Sequence, residues 1–204
     1  VPGVAIAIVE NGRVTYRKAY GIANLETDTP VTTESVFELA SVSKQFTPAA
    51  IMLLVEDGKI GLDDPISRYI ADTPAAWAGI TVRQLLNHTS GLNSAAVPRV
   101  GDSALLNVTT KTSFSFIAAQ PMRTPSGQEG WYSDAGYFLL GMIIEKASGK
   151  TYRQFMQEHI FSPLGMTHSS ILDKARVLKG RVSTYMLRDD NLLNWRRDWD
   201  YELP

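Results

Sequence analysis

The segment "DAGYFLLGMIIEKA", residues 134–147, carries apolar side chains on nearly every face of a helix. A helix that is hydrophobic all round cannot lie on a surface, so it must be enclosed by other elements. That requirement predicts a helical cluster built around 134–147. Gly149 supplies the stop, and Thr151 with Gln154 forms a capping box that opens the next helix, "YRQFMQEHI". Upstream, Thr81 starts a short helix through "VRQLLNH", and Gly91 ends the turn after it. A further helix is expected from about Val42 to Asp57, ended by Gly58. Pro48 lies inside that span and predicts a kink or an irregular first turn. Residues 93–130 read as loop-rich, with "QPMRTPSGQEG" the least regular part.

The N-terminal region obeys a different period. "VAIAIV" and "RVTYRKAY" flank Glu10-Asn11-Gly12, and Asn-Gly between β-rich runs is a strong hairpin signal, because a type I′ turn needs positive φ at both central residues. Residues 24–35 read as a polar connection. The tail "NLLNWRRDWDYELP" offers no convincing further strand. The order is therefore a hairpin, then helices, and a lone two-stranded hairpin is marginal in water. The sheet reads as unfinished.

Composition narrows the chemistry. The chain has 204 residues, 44% hydrophobic and 20% charged, as in ordinary globular proteins. Its 20 basic and 21 acidic side chains offer no field for nucleic acid or anionic lipid. No apolar run approaches the ~18–20 residues of a membrane span. No signal peptide is read before Val1, as expected equally of a mature or trimmed chain, and the compartment stays open. The absence of cysteine removes thiol catalysis and cysteine-ligated zinc. His88, His159 and His168 form no ligand pair, so neither a metal nor a cofactor is expected.

Against that background "ELASVSKQF" places Ser41 and Lys44 three residues apart. This spacing brings two side chains onto one helical face, about 5–6 Å apart at Cβ. A lysine there can take the serine proton if its surroundings lower its pKa. The pair alone fits an N-cap serine and a solvated lysine better than a nucleophile and its base. A second element shifts the balance: Tyr132, Ser133 and Asp134 stand immediately before the buried helix. Tyr132 can join a proton relay or simply pack. Asp134 can pair with Lys44, cap the helix, or do both.

Four blocks in order, "ASVSKQFTPAAIMLLVEDGKIGLDDPISRYI", "ITVRQLLNHTSGL", "YSDAGYFLLGMIIEKASGKTY" and "IFSPLGMTHSS", resemble the serine β-lactamase-related family. That family includes class C β-lactamases, D-alanyl-D-alanine carboxypeptidases and esterases of the same fold, and the resemblance runs from about Val1 to Tyr185. It implies an α+β, β-lactamase/transpeptidase-like fold, an antiparallel sheet with a mostly helical domain. The expected division is 1–59 for the first part of the α/β domain, 60–185 for the helical domain and 186–204 for a connection onward. The site is expected in the cleft between the two.

The resemblance further implies Ser41 as the acylated nucleophile and Lys44 as proton acceptor or electrostatic partner. Tyr132 would shuttle protons, and Asp134 would bind substrate or orient Lys44. His88, in "HTSGL", is read as scaffold. The implied substrate is a small-molecule ester, amide or β-lactam.

Two departures stand out. Asp134 occupies a position where the family more often has asparagine, and an ionised carboxylate accepts hydrogen bonds but donates none. Neither Lys-Thr-Gly nor His-Thr-Gly occurs, so the resemblance implies a chain short of the family's later strands, with a second chain or segment to complete the sheet. A non-catalytic binding or scaffold role remains the alternative. A Ser-His-Asp α/β-hydrolase is disfavoured, since it would need a Gly-x-Ser-x-Gly elbow and alternating strand–helix units, and neither is read here.

Overall fold

The computed structural model describes residues 2–94, 109–172, 177–188 and 191–194, with only the backbone described at 186–188 and 191–194. Two compact units emerge: Ser41–Arg99 with Ala104–Leu172, and Val1–Ala40 with Val100–Ser103 and Asp173–Pro204.

The first of these is helical. Its centre is the helix foreseen from its all-round apolarity, observed at Asp134–Ser148. Around it stand the helices Phe46–Glu56, Val82–Leu86, Thr110–Ala119 and Tyr152–Met156. In chain order these are α1 (46–56), α2 (82–86), α3 (110–119), α4 (134–148) and α5 (152–156). Leu139, Leu140, Ile143 and Ile144 of α4 are fully buried, together with Ile51 and Leu54 of α1 and Leu85 of α2. The local signals hold. Thr81 and Gln84 close a capping box, as do Thr151 and Gln154, and Gly149 ends α4 at φ 69°.

Several expectations need correction. The helix read from Val42 begins instead as a 3₁₀ turn over Ala40–Gln45, and α1 proper starts at Phe46. Pro48 thus falls in the first turn of α1, where its missing N–H has no intrahelical acceptor to lose. The stretch 93–130 is not loop throughout, because α3 occupies part of it, opened by a Thr109–Thr112 capping box. Threonine at the last box position, in place of glutamate or glutamine, hid that start. Residues 95–108 of the same reading lie outside the described residues.

Correction also applies to the tail. Tyr185–Arg188 and Asn191–Asn194 pair as an antiparallel hairpin, whereas the tail from Asn191 read as offering no convincing strand; residues 195–204 lie outside the described residues.

In the other unit Val4–Glu10 (β1) and Arg13–Tyr20 (β2) form the expected hairpin. Asn11 and Gly12 take φ 50° and 73°, as a type I′ turn demands. A smaller pair, Ile22–Asn24 (β3) with Thr29–Pro30 (β4), lies in the stretch read as a polar connection. The late strands are β5 (185–188) and β6 (191–194). Their approach is tied to the early chain: Val36 N–H donates to the Gly180 carbonyl at 2.8 Å, and Ser183 N–H to Ala23 at 2.8 Å. The Tyr185 hydroxyl accepts from Leu25 N–H at 2.7 Å.

Among the described residues each sheet has two strands. Val4, Ile6 and Ile8 alternate along β1 opposite Tyr20, Lys18 and Tyr16, and all three remain exposed. No helix among the described residues is long and apolar enough to cross a membrane.

Candidate active site

Ser41 sits inside the 3₁₀ turn Ala40–Gln45, directly after Ala40, whose φ is 44°. Positive φ is uncommon for a residue with a Cβ. The cap of α1 is Gln45, whose side chain makes no cap hydrogen bond. The Ser41 hydroxyl is therefore not used as a helix cap. Its Oγ accepts a 2.7 Å hydrogen bond from the Tyr132 hydroxyl and a longer one, 3.4 Å, from Lys44 Nζ.

Lys44 turns its ammonium towards Asp134, with Nζ 2.5 Å from Oδ1. The same Nζ lies 4.7 Å from the Tyr132 ring centroid and 5.6 Å from that of Tyr137. Burial alone pushes the Lys44 pKa down, but hydrogen bonds to Asp134 and Tyr132 and their charges outweigh it. The result lies above the ordinary lysine value. The condition under which Lys44 could take the serine proton, a pKa lowered by its surroundings, is therefore not met. Lys44 is a fixed positive charge beside the serine at neutral pH.

Tyr132 and Asp134 are delivered by the entry to α4. Ser133, not Asp134, is the N-cap, its Oγ accepting from Gly136 N–H at 3.1 Å. The N–H groups of Asp134 and Ala135 both donate to the Ser94 carbonyl at 3.1 Å. With its first donors satisfied this way, α4 leaves the Asp134 carboxylate free for Lys44.

The segment ahead of Tyr132 is anchored by Gly91. Its φ is 75°, and a Cβ there would stand 2.1 Å from the Thr124 carbonyl oxygen. Its own carbonyl accepts from Arg123 N–H at 2.9 Å.

Sequence reasoning paired Ser41 with Lys44 and set Tyr132 and Asp134 beside them, and the structure brings all four together. It missed Tyr137, whose ring lines the ammonium, and Ser94, which holds the α4 entry. Neither carries a local pattern that marks it. No group of three or more His, Asp or Glu side chains that can hold a metal occurs among the described residues.

A serine acceptor, a charged lysine one turn on, and a tyrosine–aspartate pair at the head of a buried helix form a specific constellation. The family model described as Beta-lactamase matches residues 1–203. The chain belongs to the beta-lactamase family.

Penicillin-binding protein 4* of Bacillus subtilis (strain 168) is 36% identical over 194 residues, covering 88% of this chain and 40% of that protein. The octameric penicillin-binding protein homologue from Pyrococcus abyssi superposes with a TM-score of 0.81 at 32% identity, covering 95% of this chain and 46% of that one. D-amino acid amidase from Ochrobactrum anthropi SV3, solved with L-phenylalanine amide, gives 0.76 at 32%, covering 91% and 53%. These likenesses carry the β-lactamase/transpeptidase-like fold expected from the motifs. The chain spans about half the length of these relatives or less.

Proposed function

We propose that this chain carries the nucleophile and proton-transfer groups of a serine hydrolase that works through an acyl-enzyme. The observation that carries the reading is the convergence of Tyr132 and Lys44 on Ser41 Oγ at 2.7 and 3.4 Å, with Lys44 held by Asp134. Membership of a family with penicillin-binding and amidase relatives supports it.

The sequence of events follows from the contacts. In the resting contact the Tyr132 hydroxyl donates to Ser41 Oγ; once that proton has passed to solvent, Ser41 Oγ attacks an ester, amide or β-lactam carbonyl carbon as its own proton moves to the Tyr132 oxygen. Tyr132 then protonates the departing alcohol or amine, leaving an acyl group on Ser41. Water attacks that ester and gives its proton to Tyr132, which passes it to the Ser41 oxygen as the acid leaves. Lys44 remains an ammonium throughout and steadies negative charge on Ser41 and Tyr132. Asp134 positions that ammonium.

Asp134 can accept but not donate a hydrogen bond when ionised. This favours esters over substrates, β-lactams among them, that offer an amide carbonyl at this position, since such a carbonyl finds no donor there.

The reading is tested by treating the protein with a fluorophosphonate and with a penicillin, then mapping the adduct by mass spectrometry. Label on Ser41 of the wild type and none on Ser41→Ala is the expected result. A folded protein with no Ser41 adduct from either probe overturns it. A folded protein that binds such a compound reversibly and gives no Ser41 adduct is the result a binding or scaffold role requires.

A further inference from the structure

His88 holds the chain on both sides of Tyr132. Its carbonyl accepts from Trp131 N–H at 2.8 Å, and its Nδ1 accepts from Ser133 N–H at 3.1 Å. Between those two bonds its ring lies against Tyr132, with centroids 4.7 Å apart and planes inclined by 30°. The imidazole also stacks on Tyr137, with centroids 4.9 Å apart and planes inclined by 24°. Tyr137 is itself tied, its hydroxyl donating to the Leu86 carbonyl at 3.2 Å. Two rings thus pack against His88, and one of them, Tyr132, carries the hydroxyl that reaches Ser41.

We infer that His88 is a positioning residue for Tyr132, fixing the phenol towards Ser41 through two flanking backbone hydrogen bonds and a ring stack, and only while Nδ1 is unprotonated. For its kinetic consequences this rests on the hydrolase reading above. Tyr132 is half-exposed and its backbone lies in no regular element, so α4 alone does not define the ring's direction. Misplacing a reacting group by about 1 Å can cost about 10²-fold in rate.

Protonation undoes the arrangement. A proton on Nδ1 faces the Ser133 N–H, donor against donor, and adds positive charge close to Lys44. The charged groups acting on the imidazole are Lys44 and Asp134, with Tyr132 and Tyr137 as the titratable rings packed against it. Burial, then the Lys44 ammonium, push the His88 pKa below the ordinary histidine value, with Asp134 opposing. The neutral ring is therefore the form present at neutral pH. The clamp loosens below the ordinary histidine value near ~6.5.

His88 lies at φ 58°, a conformation that asparagine tolerates well. Asparagine also carries an acceptor oxygen close to where Nδ1 stands. The test compares wild type, His88→Ala and His88→Asn by ¹⁵N NMR of the imidazole and of the Ser133 amide, and by p-nitrophenyl acetate hydrolysis across pH. Expected in the wild type are the Nε2–H tautomer and a Ser133 amide that titrates together with His88. His88→Ala should lose about 10²-fold in kcat with KM changed less than about threefold. His88→Asn should recover about tenfold of that loss and lack the acid limb of the wild-type profile.

An Nδ1–H tautomer, or a His88→Ala variant with wild-type kcat and pH profile, overturns the inference. If the wild type does not hydrolyse the ester, the hydrolase reading fails at that concentration of probe. The tautomer and the Ser133 titration then decide the positioning role by themselves.

Discussion

Tyr132→Phe separates chemistry from stability at a single atom. The variant removes the hydroxyl that donates to Ser41 Oγ at 2.7 Å and keeps the ring that lies against His88. A hydrogen bond contributes a net of about 0.5–1.5 kcal/mol to stability. Tyr132 is 47% exposed, so water replaces part of what is lost and the cost should fall below about 1 kcal/mol. In melting temperature that is at most about 4 °C for a domain of this size.

The kinetic effect should be far larger. A positioned acid–base group contributes about 10²–10⁴-fold, or about 2.7–5.4 kcal/mol of barrier at about 1.36 kcal/mol per decade. The assay is single-turnover labelling of Ser41 by a fluorophosphonate, followed by intact mass, beside calorimetric melting. Comparing the two proteins as a ratio cancels every contribution they share. Labelling of Tyr132→Phe within about threefold of wild type would refute the proton-transfer role. A melting drop beyond about 10 °C would instead attribute slow labelling to disrupted packing.

Asp134→Asn removes the charge that holds Lys44 2.5 Å away. Burial then acts on the ammonium with less opposition, so the Lys44 pKa falls and the alkaline change in the activity profile moves to lower pH. An unchanged profile would mean that the pair does not govern Lys44. The sign for stability follows: a raised lysine pKa stabilises fully below the ordinary value near ~10.4, and that contribution fades as pH rises through the higher folded value. Urea unfolding at pH 8 and 11 should therefore show a steeper alkaline loss in wild type than in Asp134→Asn. Ala40→Gly relieves a residue at φ 44°, a gain of about 1–2 kcal/mol offset by about 0.4–1 kcal/mol of added freedom in the unfolded chain. A lower urea midpoint in Ala40→Gly would show that no strain is held there.

What could be read along the chain was what is decided within one turn of backbone. Asn11-Gly12 makes a hairpin because their positive φ values suit its twist. Thr81 with Gln84, and Thr151 with Gln154, close boxes because residues three apart meet at a helix start. Ser41 and Lys44 share a face for the same geometric reason, and the apolar run in α4 demanded an enclosing cluster. The likeness of ordered motifs to a known family then placed Tyr132 and Asp134 beside them.

Only the fold could decide the rest, because it depends on residues far apart in sequence. The separation of 90 positions from Lys44 to Asp134 is closed by packing of α1 against α4, and that ion pair, not local sequence, makes Lys44 a fixed charge. Ser133 took the cap because the Ser94 carbonyl satisfies its neighbours' N–H groups and frees Asp134. β5 stayed hidden because what ties the chain leading into it is the pairing of Val36 and Ala23 with residues some 150 positions later. Sequence determines torsions and helical faces, whereas desolvation and long-range partners determine which hydroxyl Ser41 meets and in which charge state Lys44 meets it.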